Sequence, residues 1–438
     1  MNDNLKDKIL ALVNEYHHAA GAETSTWVPG ENRVLASGAV LTAADRMALV
    51  EAALDLRIAS GSYAIRFERA LAGYFGLRKA HLTNSGSSAN LLALSALTAP
   101  ELGERALRRG DEVITVAAGF PTTVNPIIQN GLVPVFVDID LSTYNTTAEL
   151  VEAAIGPKTK AIMIAHALGN PFEAAEIRDL ADRHGLWFVE DNCDAVGSTY
   201  RGRKTGTFGH LSTVSFYPAH HLTMGEGGCV LTGSMELARL VESYRDWGRD
   251  CWCEPGEDDR CNKRFGWQLG TLPSGYDHKY IFSHVGYNLK ATDLQAALGL
   301  SQLERLSEFC DSRRKNWLRM RAGLHDVPGL TLPEPAPNSD PSWFGFTLTV
   351  QDSAPYSRRD LQLHLESKRI STRLLFSGNL TRHPAYEHVE YRVSGSLSNS
   401  DKVTNDTLWI GIYPGVTEEM IDYVIREIWS FAKGAPSC

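Results

Sequence analysis

Between residues 79 and 232 short apolar runs alternate with helical stretches. The runs at 80–83, 112–116, 133–137, 161–164, 186–189, 213–216 and 228–231 are nearly all apolar along their length. Strands of that kind, separated by helices, predict a mostly parallel seven-stranded sheet covered on both faces. Upstream, residues 5–18 carry apolar positions at helical spacing, and 42–56 opens on Thr42 as a cap and continues alanine-rich. The first sixty residues therefore read as a helical segment that packs on the main body or on a partner subunit. The pattern breaks at 246–284, a polar insertion rich in Gly, Trp, Asp and Cys. A structureless loop of this length carries a function or an internal staple. Residues 288–322 return to helical periodicity and lead into a smaller α+β unit that contains another turn-rich insertion at 333–342. The predicted organisation is a helical segment at 1–60, a large domain at 61–300, and a connecting helix with a small domain at 301–438.

Composition narrows the picture. With 438 residues, 43% hydrophobic and 22% charged, the chain is a globular protein long enough for two or three domains. A formal net charge of -9 argues against a nucleic-acid surface, which needs a concentrated basic stripe. The first residues lack the basic-then-apolar order of a signal peptide, and no run approaches the roughly twenty apolar residues of a membrane span. The expectation is a cytoplasmic protein without a membrane partner. Seven cysteines, an odd number in a long chain, suit a reducing compartment where thiols bind metal or pack. Cys229 lies in an apolar run, and Cys310 and Cys438 belong to no spacing pattern.

Three stretches carry candidate chemistry. The run NSGSSAN at 84–90 follows a strand and opens a helix, where free amides and the helix dipole favour a phosphate and Ser87 adds a hydroxyl. Asp191 ends the strand at 186–189 and is followed by Cys193 and Asp194. Cys193 is separated by 58 positions from Cys251, which starts the pattern C-x-C-x7-C completed by Cys253 and Cys261. Four thiolates around one point would hold a [2Fe-2S] cluster or a tetrahedral zinc ion, and spacing does not separate the two. The run SFYPAHH at 215–221, followed by GEGG at 225–228, holds the pair His220 and His221 but no lysine. The nearest lysines, Lys204 and Lys263, lie outside it.

These stretches resemble the sugar aminotransferase and dehydratase family, fold-type I enzymes that use pyridoxal phosphate (PLP) or its amine, pyridoxamine phosphate (PMP). The resemblance runs from about residue 61 to the C-terminus and implies the α/β fold of the PLP-dependent transferases. His220 then stands where relatives place a cofactor-binding lysine. An imidazole cannot form that covalent link and can only move protons. The resemblance also implies that Gly86, Ser87 and Ser215 grip the cofactor phosphate, that Phe120 stacks on its ring and that Asp191 pairs with the ring nitrogen. Asn288 would reach the phosphate from the neighbouring subunit, making the active form at least a homodimer. Asp194 replaces a common glutamine and, with Tyr217, is expected near the reacting centre. His221 is better read as a structural histidine.

The cysteine pattern is similar to that of the PMP and iron–sulfur branch of the family, which acts at C3 of a CDP-linked 4-keto-6-deoxyhexose. By that resemblance Cys193, Cys251, Cys253 and Cys261 ligate a [2Fe-2S] cluster, and His220 is the base for loss of the C3 hydroxyl. An NADH-dependent flavin and iron–sulfur reductase would supply electrons one at a time toward a 3,6-dideoxyhexose precursor. Four other readings stay open: a dTDP-sugar 3-dehydratase, an iron-free 3-dehydratase, an aminotransferase, against which the missing lysine speaks, and a noncatalytic sensor that keeps the fold.

Overall fold

The computed structural model describes residues 2–21, 27–56, 58–253 and 257–434; positions 254–256 of the cysteine insertion and Cys438 lie outside the described residues. The first nine strands are β1 (Lys79–Thr83), β2 (Glu112–Val116), β3 (Val133–Val137), β4 (Thr159–Ala165), β5 (Trp187–Asp191), β6 (Thr199–Tyr200), β7 (Arg203–Lys204), β8 (Leu211–Ser215) and β9 (Gly228–Thr232). Six more follow: β10 (Leu330–Thr331), β11 (Ser339–Asp340), β12 (Gly345–Val350), β13 (Thr372–Arg373), β14 (Arg392–Val393) and β15 (Thr407–Gly411).

The main sheet runs in the order β1-β9-β8-β5-β4-β2-β3-β14. The seven apolar runs supply seven of its strands, and all pairings are parallel except the two made by β9. Alternation within these runs builds two cores, one on each face. Ile162, Ile164 and Phe188 join Val151, Ile177 and Leu180 from the helices Ala148–Ala154 and Ala174–His184. Ala161, Met163 and Val189 point the other way, toward Leu92 of the helix Gly86–Ala96 and Leu240 of the helix Met235–Arg245. Burial on both faces is why the strands show no polar alternation.

The sheet has an eighth strand that sequence pattern does not reveal. β14 is two residues long and pairs parallel with β3, held by Arg392 against Glu112 with Nε–Oε1 and Nη2–Oε2 contacts of 3.0 and 2.7 Å. The helix Ser62–Phe75 buries Tyr63, Phe67, Leu71 and Phe75 at helical spacing. Asp293 caps it from a distant part of the chain, accepting from the Gly61 and Ala64 amides at 2.8 and 2.9 Å. Downstream, the helices Asp293–Glu304 and Leu306–Leu324 lead to the four-stranded sheet β10-β12-β15-β13, whose core includes Phe346, Leu348 and Ile410. The insertion at 333–342 is not wholly irregular, since β11 pairs with β6 in a small sheet with β7. Among the described residues of 246–284, regular structure is confined to the 3-10 turn His278–Tyr280 and two bridges, Asp246 with Asn288 and Arg249 with Phe282. A bidentate Arg264–Asp277 pair at 2.9 and 2.7 Å ties this loop to itself. No helix among the described residues is long and apolar enough to cross a membrane.

Candidate active site

A cavity of about 640 Å³ opens beyond the carboxyl ends of the parallel strands and reaches the small domain, the position at which open α/β sheets receive ligands. One wall is the start of the helix Gly86–Ala96. Ser85 caps it by accepting from the Ser88 amide at 3.0 Å, while the first-turn amides of Gly86 and Ser87 have no intrahelical acceptor. Glycine is required at 86 because a Cβ there would lie 2.4 Å from the Ser215 Cβ. Gly228 is packed in the same way, its would-be Cβ only 2.3 Å from the Ser85 carbonyl oxygen. Helix start and strand end thus close on one another, leaving amides and the Ser215 hydroxyl facing a seat suited to a phosphate.

Asp191 forms the floor. Its Oδ2 accepts from Asn90 Nδ2 at 2.8 Å and Thr123 Oγ1 at 2.7 Å, and its Oδ1 accepts from the Cys193 amide at 3.1 Å. Asn90 is itself fixed by Thr213, whose hydroxyl donates to its Oδ1 at 2.5 Å. A buried carboxylate so oriented, below a seat for an aromatic cation, suits the ring nitrogen of a pyridine cofactor. Phe120 caps the helix Pro121–Gln129 and lies half-exposed on the cavity wall, its ring edge-on to Phe376. These residues fit PLP or PMP.

His220 lines the same cavity. Its backbone N–H donates to the Tyr217 carbonyl at 2.9 Å, closing the turn that carries it. Its Nδ1 stands 3.4 Å from Asp194 Oδ1, longer than a well-formed hydrogen bond, as is common for acid–base groups before substrate arrives. Burial pushes the Asp194 carboxyl above its ordinary range, against the opposing pull of His220. Tyr217 is half-exposed at the mouth. His221 faces away: it is buried, its Nε2 meets the Ser342 carbonyl at 2.7 Å, and burial holds it neutral, well below the usual imidazole range.

Several contributors carry no sequence motif. Arg313, fully buried on the helix Leu306–Leu324, donates to the carbonyls of Ala219 and His220 at 3.4 and 3.2 Å, and to those of Trp343 and Phe344 at 3.2 Å each. Burial lowers its pKa to about 10. Phe344 packs on the His220 ring with centroids 5.3 Å apart. Asn90 and Thr123 were within reach of the sequence, since Asn90 closes the run at 84–90 and Thr123 lies one turn beyond Phe120. Nothing in the sequence marks Arg313.

Asn288, expected to serve the neighbouring subunit, is exposed, accepts from Lys290 Nζ at 2.7 Å and does not line the cavity of its own chain. One predicted placement differs. The four cysteines are not gathered. Cys193 lines the cofactor cavity, where burial and the neighbouring Asp191 carboxylate push its thiol well above the ordinary range. Cys251 and Cys253 line a separate cavity of about 430 Å³ against the helix Met235–Arg245. Cys261 lies 3.8 Å from His278 Nδ1. Among the described residues no three His, Cys, Asp or Glu side chains are grouped to hold a metal ion. The residues present therefore do not fit a [2Fe-2S] cluster in this arrangement. The physical reason is that Cys193 follows β5 into the cofactor cavity, whereas Cys251 and Cys253 follow the helix Met235–Arg245 and line a cavity against it.

The DegT/DnrJ/EryC1/StrS aminotransferase family model matches residues 41–429, and the chain belongs to that family. Among its relatives, the dTDP-4-dehydro-2,6-dideoxy-D-glucose 3-dehydratase of Saccharopolyspora spinosa is 64% identical over 98% of this chain and 93% of that one. The lipopolysaccharide biosynthesis protein RfbH of Salmonella typhimurium is 55% identical, covering 98% of both chains. Of solved structures, the Escherichia coli GDP-4-keto-6-deoxy-D-mannose-3-dehydratase with bound hydrated PLP superposes with a TM-score of 0.81 at 28% identity, over 91% of this chain and 99% of that one. The α/β fold expected of a fold-type I PLP-dependent enzyme is the fold observed.

Proposed function

We propose that this chain is a PMP-dependent enzyme that removes the C3 hydroxyl of a nucleotide-linked 4-keto-6-deoxyhexose, with a dTDP-linked sugar as the substrate class. The observation that carries the reading is His220, an imidazole in a cofactor cavity where the family resemblance puts a lysine. When bound, the cofactor supplies an amine for the sugar ketone and a conjugated ring that accepts electron density. The side chains of this protein do the rest. Gly86, Ser87 and Ser215 hold the phosphate, Phe120 covers the ring, and Asp191 keeps a proton on the ring nitrogen because Asn90, Thr123 and the Cys193 amide fix its oxygens. With Nδ1 of His220 turned to Asp194, Nε2 is the atom left to take a proton and return it to the departing hydroxyl. Tyr217 stands at the mouth, positioned to meet the sugar.

The relative at 64% identity supports the dTDP carrier; the CDP carrier expected from the sequence is the comparison arm of the assay. Asn288, exposed and outside its own cavity, supports a homodimer in which it serves the partner's phosphate seat. The iron–sulfur reading rests on the cysteine spacing alone, so no reduction step is routed through a cluster, and the electron-donating reductase stands or falls with it.

The test is purified chain loaded with PMP and given dTDP- and CDP-4-keto-6-deoxyhexoses, with products followed by mass spectrometry. Loss of water at C3 is the expected result. An amino sugar retaining its C3 oxygen overturns the proposal in favour of amino transfer. Iron and sulfide analysis after anoxic reconstitution tests the cluster, for which about two irons per chain are required.

A further inference from the structure

The cavity's charge is unbalanced. Its described lining holds three carboxylates, Asp191, Asp194 and Glu226, and a single Lys or Arg side chain, Arg373. The helix start at Gly86 is committed to the cofactor phosphate. A substrate that brings two more negative charges into this space meets repulsion from every ionised wall residue but one.

Arg373 lies on β13, opposite Trp409 of β15, and reaches the cavity from the small domain. Its side chain is exposed and donates through Nη1 to the Thr372 carbonyl at 2.7 Å. No carboxylate pairs with it among the described residues. Other guanidinium groups among the described residues are tied to acids, as Arg264 is to Asp277 and Arg319 to Asp422. Arg373 keeps the rest of its donor fork open. Around it the wall is apolar: Leu374, Phe376 and Trp409 line the cavity, and the Trp409 indole is pinned by donating to the Leu374 carbonyl at 2.9 Å. A planar fork against a weakly polar wall is suited to two oxygens of a phosphate group.

We propose that Arg373 binds the diphosphate of the nucleotide-linked sugar and so sets the direction in which the substrate enters. This rests on the dehydratase reading. With the diphosphate fixed at the small-domain wall and the cofactor phosphate at the helix start, the sugar ring is held between them, where His220 and Tyr217 stand. The two anion seats come from different domains, so binding also ties the small domain to the large one.

The experiment uses the PMP-loaded full-length protein and its variants Arg373→Gln and Arg373→Lys, titrated calorimetrically with thymidine diphosphate and with thymidine. Arg373→Gln is expected to weaken thymidine diphosphate by about tenfold or more, Arg373→Lys by less. Thymidine binding and PMP affinity should change by less than about twofold, since neither meets the guanidinium. Equal affinity of wild type and Arg373→Gln for thymidine diphosphate overturns the assignment alone. A parallel fall in PMP affinity also overturns it, because the side chain would then serve the cavity's architecture. Wild type that takes up no nucleoside diphosphate overturns both this assignment and the substrate reading beneath it.

Discussion

The two nitrogens of His220 meet different surroundings, and that asymmetry defines its proposed role. Nδ1 faces a buried carboxylate 3.4 Å away, which stabilises the ring once it has accepted a proton. Replacing His220 with Asn keeps much of the shape and removes the base. The expected result is a fall in kcat of about 10²–10⁴ with unchanged PMP affinity, read from turnover and from cofactor absorbance. Gly86→Ala probes the phosphate seat. Its Cβ would fall 2.4 Å from that of Ser215, so the strand end and helix start must part, at a cost of about 1–3 kcal/mol. Urea unfolding and PMP titration should both register the change. At this scale the sequence was legible in that Asp191 and His220, each beyond a strand end, come to line one cavity. It misled where distance along the chain stood in for distance in space: C-x-C-x7-C counts residues, while Cys193 and Cys251 line different cavities.

At the scale of elements, apolar runs were informative because burial on both faces leaves little freedom in composition. β14 escaped notice for the opposite reason. Two residues make no pattern, and Arg392–Val393 is tied to the sheet by contacts distant in sequence: the ion pair with Glu112, a hydrogen bond from Arg392 to the Ala154 carbonyl and one from the Ser394 amide to the Phe136 carbonyl. The hydrogen bond from Arg392 holds the Glu112 carboxyl below its ordinary range. For a carboxyl depressed in the folded state, the stabilisation is complete above the ordinary value of about 4.3 and lost as pH falls through the folded one. Arg392→Met should therefore cost up to about 1 kcal/mol near pH 7. In urea titrations across the acid range the gap from wild type should close. A gap that stays constant with pH would assign the effect to packing of the arginine stem. The helix Ser62–Phe75 was missed although its apolar spacing is regular, because its N-terminal cap is Asp293, far along the chain.

For the whole molecule, the exposed position of Asn288 leads to a mixing test. A homodimer that shares Asn288 across its interface would give a hybrid of Asn288→Ala and His220→Asn chains with one intact and one doubly defective site. Random 1:1 exchange of the two inactive variants should then restore roughly a quarter of wild-type specific activity. No recovery on mixing means that each chain relies on its own Asn288 or that the chains do not exchange, and light scattering with a tagged chain separates the two. The change of periodicity after the insertion falls where the helices Asp293–Glu304 and Leu306–Leu324 lead toward the four-stranded sheet. The contacts between the small sheet and the main one carry no sequence pattern, since they combine apolar side chains such as Phe344 and Trp409, packed into the core around Phe188, with buried polar ones far apart in the chain.

One of them, Arg313, sits at the junction with its charge sealed from water and its Nη donors spent on four carbonyls, two on the turn bearing His220 and two on the segment entering β12. A tilt of the small sheet must pull that turn along with it, as a rivet carries both plates. The imidazole and the Phe344 ring resting on it then travel together, so narrowing of the cavity around a guest would change the width of its entrance before it changed the spacing between the proton carrier and its aromatic neighbour.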